Sequence, residues 1–256
     1  MKQWLVTLVH FGVQEALSCL FPVLIFASLA LTQLFALPQR YDWMLVICLL
    51  IQWGMYRSGL ETRTEIALIS LFHLIGLIME LYKVHMGSWS YPEYAWTKIG
   101  GVPLYSGFLY ASVASYIMQA WKRLQLSIQH WPSLLLVIPL GMLIYANFFT
   151  HHFLPDMRWI LMALLVLVFW PTSVYFTVNK QRYRMPLLLA FLLIGFFIWL
   201  AENIATYFHA WAYPQQLQSW HPVSPDKISS WFLFVLLALF IISPMKQAKH
   251  YTYKPG

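Results

Sequence analysis

Two glutamates carry the most suggestive chemistry in this chain. Glu80 and Glu202 each close an apolar run, Leu74 to Met79 and Phe196 to Ala201, and each is followed at the same spacing by Trp-x-Tyr-Pro. The first copy is Glu80, Trp89, Tyr91 and Pro92, and the second is Glu202, Trp211, Tyr213 and Pro214, at a constant offset of 122. Chance would supply a second such match in about one comparable sequence in a thousand, so a duplication is the better account. Leu37-Pro38 followed by Trp43, and Leu154-Pro155 followed by Trp159, give weaker support. A carboxyl in apolar surroundings favours its protonated form and suits proton donation or shuttling. Tryptophan and tyrosine rings beside it can stabilise a developing positive charge through their faces. Two plainer readings stand alongside. The aromatics fit a belt at the headgroup level, and Glu80 could pair with Lys83 at i,i+3, although Glu202 has no such basic neighbour on its helix.

Further polar residues fall at matching ends of the apolar segments. His73 lies seven residues before Glu80, on the same helical face one layer deeper. Asn147 and His151 are spaced i,i+4, and Thr150, His152, Asp156 and Arg158 follow across a short turn. Asn203 adjoins Glu202, and His85, His209 and His221 lie in loops. Lys227 opens a helix behind Ser224-Pro225-Asp226, with Ser224 at the N-cap. The expected roles are catalysis for Glu80, Glu202, Asn147, His151 and Asp156, and ligand binding for Trp89, Tyr91, Trp211, Tyr213, His73, Asn203 and Lys227. The opposite ends of the segments carry little comparable chemistry beyond basic loops. His151, His152 and Asp156 are weak candidates for a metal site, but no H-E-x-x-H, G-x-S-x-G or phosphate-binding glycine loop is present, and no cofactor is implied.

The elements that must position these groups are transmembrane helices. The chain is 60% hydrophobic and only 10% charged over 256 residues, too apolar to cover a water-soluble globule. That composition excludes a soluble enzyme and a nucleic-acid binder, and Cys19 and Cys48, both in apolar stretches, exclude a disulfide scaffold. The net charge of +7 is spread over loops, as topology signals and anionic headgroups require. Eight spans are expected, at about 14–36, 42–57, 64–85, 102–121, 132–151, 158–178, 185–208 and 228–244. Lys2, Arg57, Arg63, Lys122, Arg123, Lys180, Arg182, Arg184, Lys246, Lys249 and Lys254 fall on one side, and Arg40, Lys83, Lys98, Arg158 and Lys227 on the other. The positive-inside rule then places both termini in the cytoplasm. The fold expected is an all-α bundle forming one integral membrane domain, 1–256, in two parallel four-helix repeats, about 14–121 and 132–244. Both glutamates then face a pocket near the outer surface.

The stretches ELYKVHMGSWSYPE, GGVPLYSGFLYASVASY, NFFTHHFLPDMRW and WLAENIATYFHAWAYPQQLQSW resemble the YoaT-type family of uncharacterised bacterial membrane proteins over almost the whole chain. A helix ending in Glu, then a Gly/Trp/Tyr element, then Val-Pro-Leu opening the next helix, is more distantly similar to carotenoid hydratases and small-subunit lycopene cyclases. That similarity implies an isoprenoid substrate. The leading expectation is an intramembrane enzyme using general acid/base chemistry on a lipid or isoprenoid-like substrate, with Asn147, His151 or Asp156 positioning or deprotonating a water. The alternatives are a proton- or cation-coupled transporter of small solutes, and a metal-dependent lipid hydrolase built on His151, His152 and Asp156. The partners expected are membrane lipids and a lipophilic small molecule, not nucleic acid.

Overall fold

The structure, a computed structural model, describes the backbone of residues 2–251 and the side chains of residues 4–243. The side chains of Lys2, Lys246, Lys249 and Lys254, four of the cations assigned to the inner side, lie outside the described residues. The described chain is mainly helical. In order its helices are α1 (Lys2–Ser18), α2 (Leu20–Leu34), α3 (Arg40–Arg57), α4 (Arg63–His85), α5 (Gly107–Arg123), α6 (Leu134–Thr150), α7 (Arg158–Phe169), α8 (Leu187–Tyr207) and α9 (Lys227–Tyr251). Of these, α4 and α8 are by themselves long and apolar enough to cross a membrane; α1 and α2, bent by 66° at Cys19, make a third if the pair is one span. The two glutamates therefore sit on the two helices best able to span a bilayer.

Three expected boundaries move. The window 14–36 holds the break between α1 and α2, and α5 begins at Gly107, behind a short hairpin of β1 (Lys98–Ile99) and β2 (Val102–Pro103). The window 158–178 is helical only to Phe169; it ends in β4 (Ser173–Val178), which pairs antiparallel with β3 (Ser127–Gln129) and β5 (Gln181–Pro186). An all-α fold is thus corrected to a mainly helical one carrying a three-stranded sheet. The turn between β4 and β5 is Asn179-Lys180, both with positive φ (51° and 64°), the type I′ geometry that matches strand twist. Gly100 and Gly101 do the same between β1 and β2, with φ of 55° and 83°.

The chain packs into two compact units. Among the described residues one comprises 13–119 and 200–224, and the other 2–12, 120–199 and 225–251. In the first, α2 lies along α3, and the segment Leu104–Ser106 packs on α3 and α4. Its core includes Phe21, Ile25, Leu29, Tyr41, Met44, Phe72 and Tyr105, all nearly inaccessible. In the second, α6 packs on α7 and α9, around Leu165, Phe169, Phe191 and Phe232. Large apolar side chains also face outward on α6 and α7: Leu135, Met142 and Leu167 are exposed. The start of α4 is fixed by a capping box, in which Thr62 Oγ1 accepts from the Glu65 amide and the Glu65 carboxylate accepts from the Thr62 amide.

Candidate functional site

Both helices that carry a glutamate end in the same way. At α4 the Ser88 amide donates to the Lys83 carbonyl and the Gly87 amide to Val84; at α8 the Ala210 amide donates to Ala205 and the His209 amide to Thr206. Each is a Schellman ending, with a left-handed residue at its turn. Gly87 has φ of 69° and His209 has φ of 54°, and these two positions are again 122 apart. A glycine adopts that conformation freely, whereas histidine needs support. The buried Arg40 supplies it: its guanidinium donates to the Phe208 carbonyl at 2.7 Å and the His209 carbonyl at 2.6 Å. The same group also donates to Gln33 and pairs with Glu93 at 2.8 Å. Arg40 thus ties the end of α8 to the residue that follows Pro92.

The turns send both Trp-x-Tyr-Pro segments back over the helix ends, where they pair. Ser90 and Ala212 form an antiparallel bridge in which each amide donates to the other's carbonyl at 2.9 Å. Ser90 and Ala212 are the equivalent middle residues of the two Trp-x-Tyr elements. The bridge sets the Trp89 and Tyr213 rings edge to face, 5.9 Å apart.

The side chains then converge on the carboxyls. Glu80 Oε2 accepts from Trp89 Nε1 at 2.7 Å and from the Tyr91 hydroxyl at 2.8 Å, and Oε1 accepts from the Tyr110 hydroxyl at 2.7 Å. Glu202 Oε1 accepts from the Tyr213 hydroxyl at 2.5 Å, and Trp211 lies within hydrogen-bonding reach of Tyr213. Glu80 and Glu202 are both 4% exposed and close enough that the charge of Glu202 acts on Glu80. Burial, followed by the nearby Glu80 carboxylate, holds the Tyr91 phenol well above its usual range. Burial and Glu202 do the same to Tyr213. Both phenols therefore stay protonated and act as donors. The arrangement is a buried pair of carboxyls with several phenol and indole protons directed at them, able to hold, share or deliver a proton.

The remaining expected site residues fall elsewhere. Asn203 Oδ1 accepts from the Val223 amide at 2.9 Å, pinning the loop after α8. His73 lies on α4 below the cluster, its ring 4.4 Å from that of Phe108. Asn147, His151, His152, Asp156 and Lys227 belong to the other unit. There Asn147 donates to Asp156 at 3.0 Å and accepts from the Met157 amide at 2.9 Å. Asp156 also takes the Arg158 amide at 2.9 Å and its guanidinium at 2.8 Å. Burial alone would raise the Asp156 pKa, but the Asn147 hydrogen bond, the Arg158 amide and the Arg158 charge outweigh it and hold the carboxyl below its usual value. These contacts staple the turn from α6 to α7. The His151 and His152 rings lie against each other, 4.3 Å between centroids, and among the described residues no three His, Cys, Asp or Glu side chains are placed to hold a metal ion. Lys227 opens α9, as its Ser-Pro-Asp prelude suggests.

Sequence reasoning missed Tyr110, which reads as one more apolar residue in FLYASVASY, and Arg40, which reads as a loop cation. It also missed chemistry at the other end of α4. Glu61, 2% exposed, accepts from Gln52 and Ser115, each at 2.5 Å, so that end carries a buried carboxylate besides its basic loops.

Fold and site together define a mainly helical, strongly apolar protein with helices able to cross a membrane and a buried carboxyl pair between them. The family described as "Protein of unknown function (DUF817)" matches residues 7–239, and the chain belongs to it. It is 61% identical over 244 residues to "Uncharacterized protein YoaT" of Bacillus subtilis (strain 168), covering 94% of this chain and 92% of that protein. Neither match concerns carotenoid-modifying enzymes. No solved structure matches the chain.

Proposed function

We propose that this protein is an intramembrane enzyme acting by general acid/base chemistry on a lipophilic, isoprenoid-like substrate, with Glu80 and Glu202 as its proton-handling pair. The observation that carries the reading is the convergence of two carboxyls, 4% exposed each, under a layer of tyrosine hydroxyls and tryptophan rings. Carboxyls are rarely kept at such depth for stability, because apolar replacements serve as well or better. One carboxyl protonates a double bond, the other accepts the proton that leaves, and Trp89, Tyr91, Trp211 and Tyr213 line the path of developing positive charge.

In this reading the helices form eight spans, the bent α1–α2 pair counting as one, in two repeats, α2–α5 and α6–α9. The matched Schellman endings and the Ser90–Ala212 bridge support the duplication, and the exposed leucines of α6 and α7 support a lipid surround. The loops bearing Arg57, Arg63, Lys122, Arg123, Lys180, Arg182 and Arg184 are cytoplasmic, and the carboxyl pair faces the outer leaflet of the bacterial inner membrane.

The test is a mass-spectrometric comparison of membrane lipids from bacteria expressing wild type, Glu80→Gln and Glu202→Gln. A lipid species formed with wild type should vanish with both variants, each still inserted in the membrane at normal levels. An identical lipid profile with wild type and either variant removes that carboxyl from the chemistry. Solute counterflow in proteoliposomes without chemical change would replace the reading with a proton-coupled carrier.

A further inference from the structure

The crossing of α4 and α5 holds polar atoms that the carboxyl cluster does not use. Two glycines set that crossing. A Cβ on Gly76 would stand 2.6 Å from ring atoms of Tyr110, and one on Gly107 would stand 2.6 Å from His73 Nδ1 and 2.5 Å from the His73 carbonyl. Each helix thus gives up a side chain to receive the other's ring. As a result α5 starts level with His73, roughly 18 Å back along α4 from its C-terminal end, at 1.5 Å per residue.

At that corner Ser106, immediately before α5, is completely buried, and its Oγ has no hydrogen-bond partner. His73 Nδ1 is also buried without a partner. The first amides of a helix have no acceptor within the helix, and buried polar groups in native proteins are normally satisfied. Ser106 leads directly into α5, a 17-residue helix, and His73 Nδ1 lies against its first residue, Gly107, so two orphaned side-chain atoms flank its start, where the cap amide already donates to the Tyr105 carbonyl. Tyr110 lies over Gly76 between this corner and Glu80, to which it donates.

We propose that Ser106, His73 and the N-terminus of α5 form a binding site for a neutral oxygen, a hydroxyl or carbonyl, at the polar end of an otherwise apolar ligand. The helix amides favour an oxygen that accepts, and the serine hydroxyl can give or take one hydrogen bond. A charged oxygen would lose its hydration in surroundings where Phe108 covers the histidine ring, so a neutral group fits best. The inference rests on the acid/base reading for the ligand's lipophilic class and adds where its oxygen is held, two helical turns below Glu80.

Purified full-length protein in detergent is photolabelled with a hexadecanol carrying a diazirine beside the hydroxyl, and the adducts are mapped by mass spectrometry. Labelling is expected in the segments around His73 and Ser106, displaced by hexadecanol at concentrations about tenfold lower than by hexadecane, the worth of one hydrogen bond. Ser106→Ala and His73→Phe should each reduce labelling about tenfold while the folded, monodisperse fraction is unchanged. Equal displacement by alcohol and hydrocarbon, failure of the alcohol to bind, or an alcohol preference that survives in both variants overturns the proposal. If labelling holds while the lipid profile ignores Glu80 and Glu202, the acid/base reading falls and this site stands; loss of labelling with intact conversion gives the reverse.

Discussion

Glu80 and Asp156 are both carboxylates that take three or more hydrogen bonds, yet they are built for different work. Asp156 has a side chain 36% exposed and an arginine in contact, so its charge is balanced by a cation and by solvent. Its partners are the residues of its own turn, and what the contacts fix is the path from α6 to α7. Glu80 is 4% exposed, and the donors on it, Trp89, Tyr91 and Tyr110, are uncharged and come from a loop and a second helix. Counting hydrogen bonds does not separate the two. Burial and the charge of the donors do, because a buried carboxyl with neutral partners responds strongly to any change in its proton or its neighbours.

That contrast can be broken by substitution. The largest effect is expected for Glu80→Gln, which should lower substrate conversion about a hundredfold or more with little change in the yield of folded protein by size-exclusion chromatography; conversion at the wild-type rate erases the distinction. Gly76→Ala comes next. Its Cβ meets the Tyr110 ring at 2.6 Å, so the ring must move off Glu80, at a cost of about 1–3 kcal/mol in thermal unfolding and with loss of conversion. Tyr110→Phe keeps the ring and removes one donor, costing about 0.6 kcal/mol and reducing conversion more than stability. The smallest effect belongs to Asp156→Asn, at most about 1 kcal/mol and none on conversion. Because the folded Asp156 pKa is depressed, its stabilisation is present above the unfolded value of about 3.9 and is lost as pH falls through the lower folded value. The variant should therefore lose less stability than wild type when unfolding is followed below about pH 4.

Much of the carboxyl cluster was legible because one spacing occurs twice. Glu80, Glu202, Trp89, Tyr91 and Tyr213 could be grouped before any coordinates, since matched positions on similar helices lead to matched places. Tyr110 could not, because nothing in a run of apolar and small residues tells which aromatic turns inward. The sheet was hidden for a related reason: Ser173–Val178 is apolar enough to extend a hydropathy window, and apolarity alone does not distinguish strand from helix. Its signals were there in Pro171, the β-branched and aromatic content of SVYFTV and the Asn-Lys turn. Asn147 and Asp156 were grouped with the glutamates on polarity, but the short turn they sit on satisfies them locally.

The Ser90–Ala212 bridge also has a consequence for how the protein is made. Its two backbone contacts join positions separated by 122 residues, and Tyr213 reaches Glu202 only beside it. At about 5–20 residues per second, a ribosome needs about 6–24 s to travel from one partner to the other. For that interval a nascent chain holds Glu80 with its neighbouring donors but without its second carboxyl, so the pair comes together only after the chain has been made through α8.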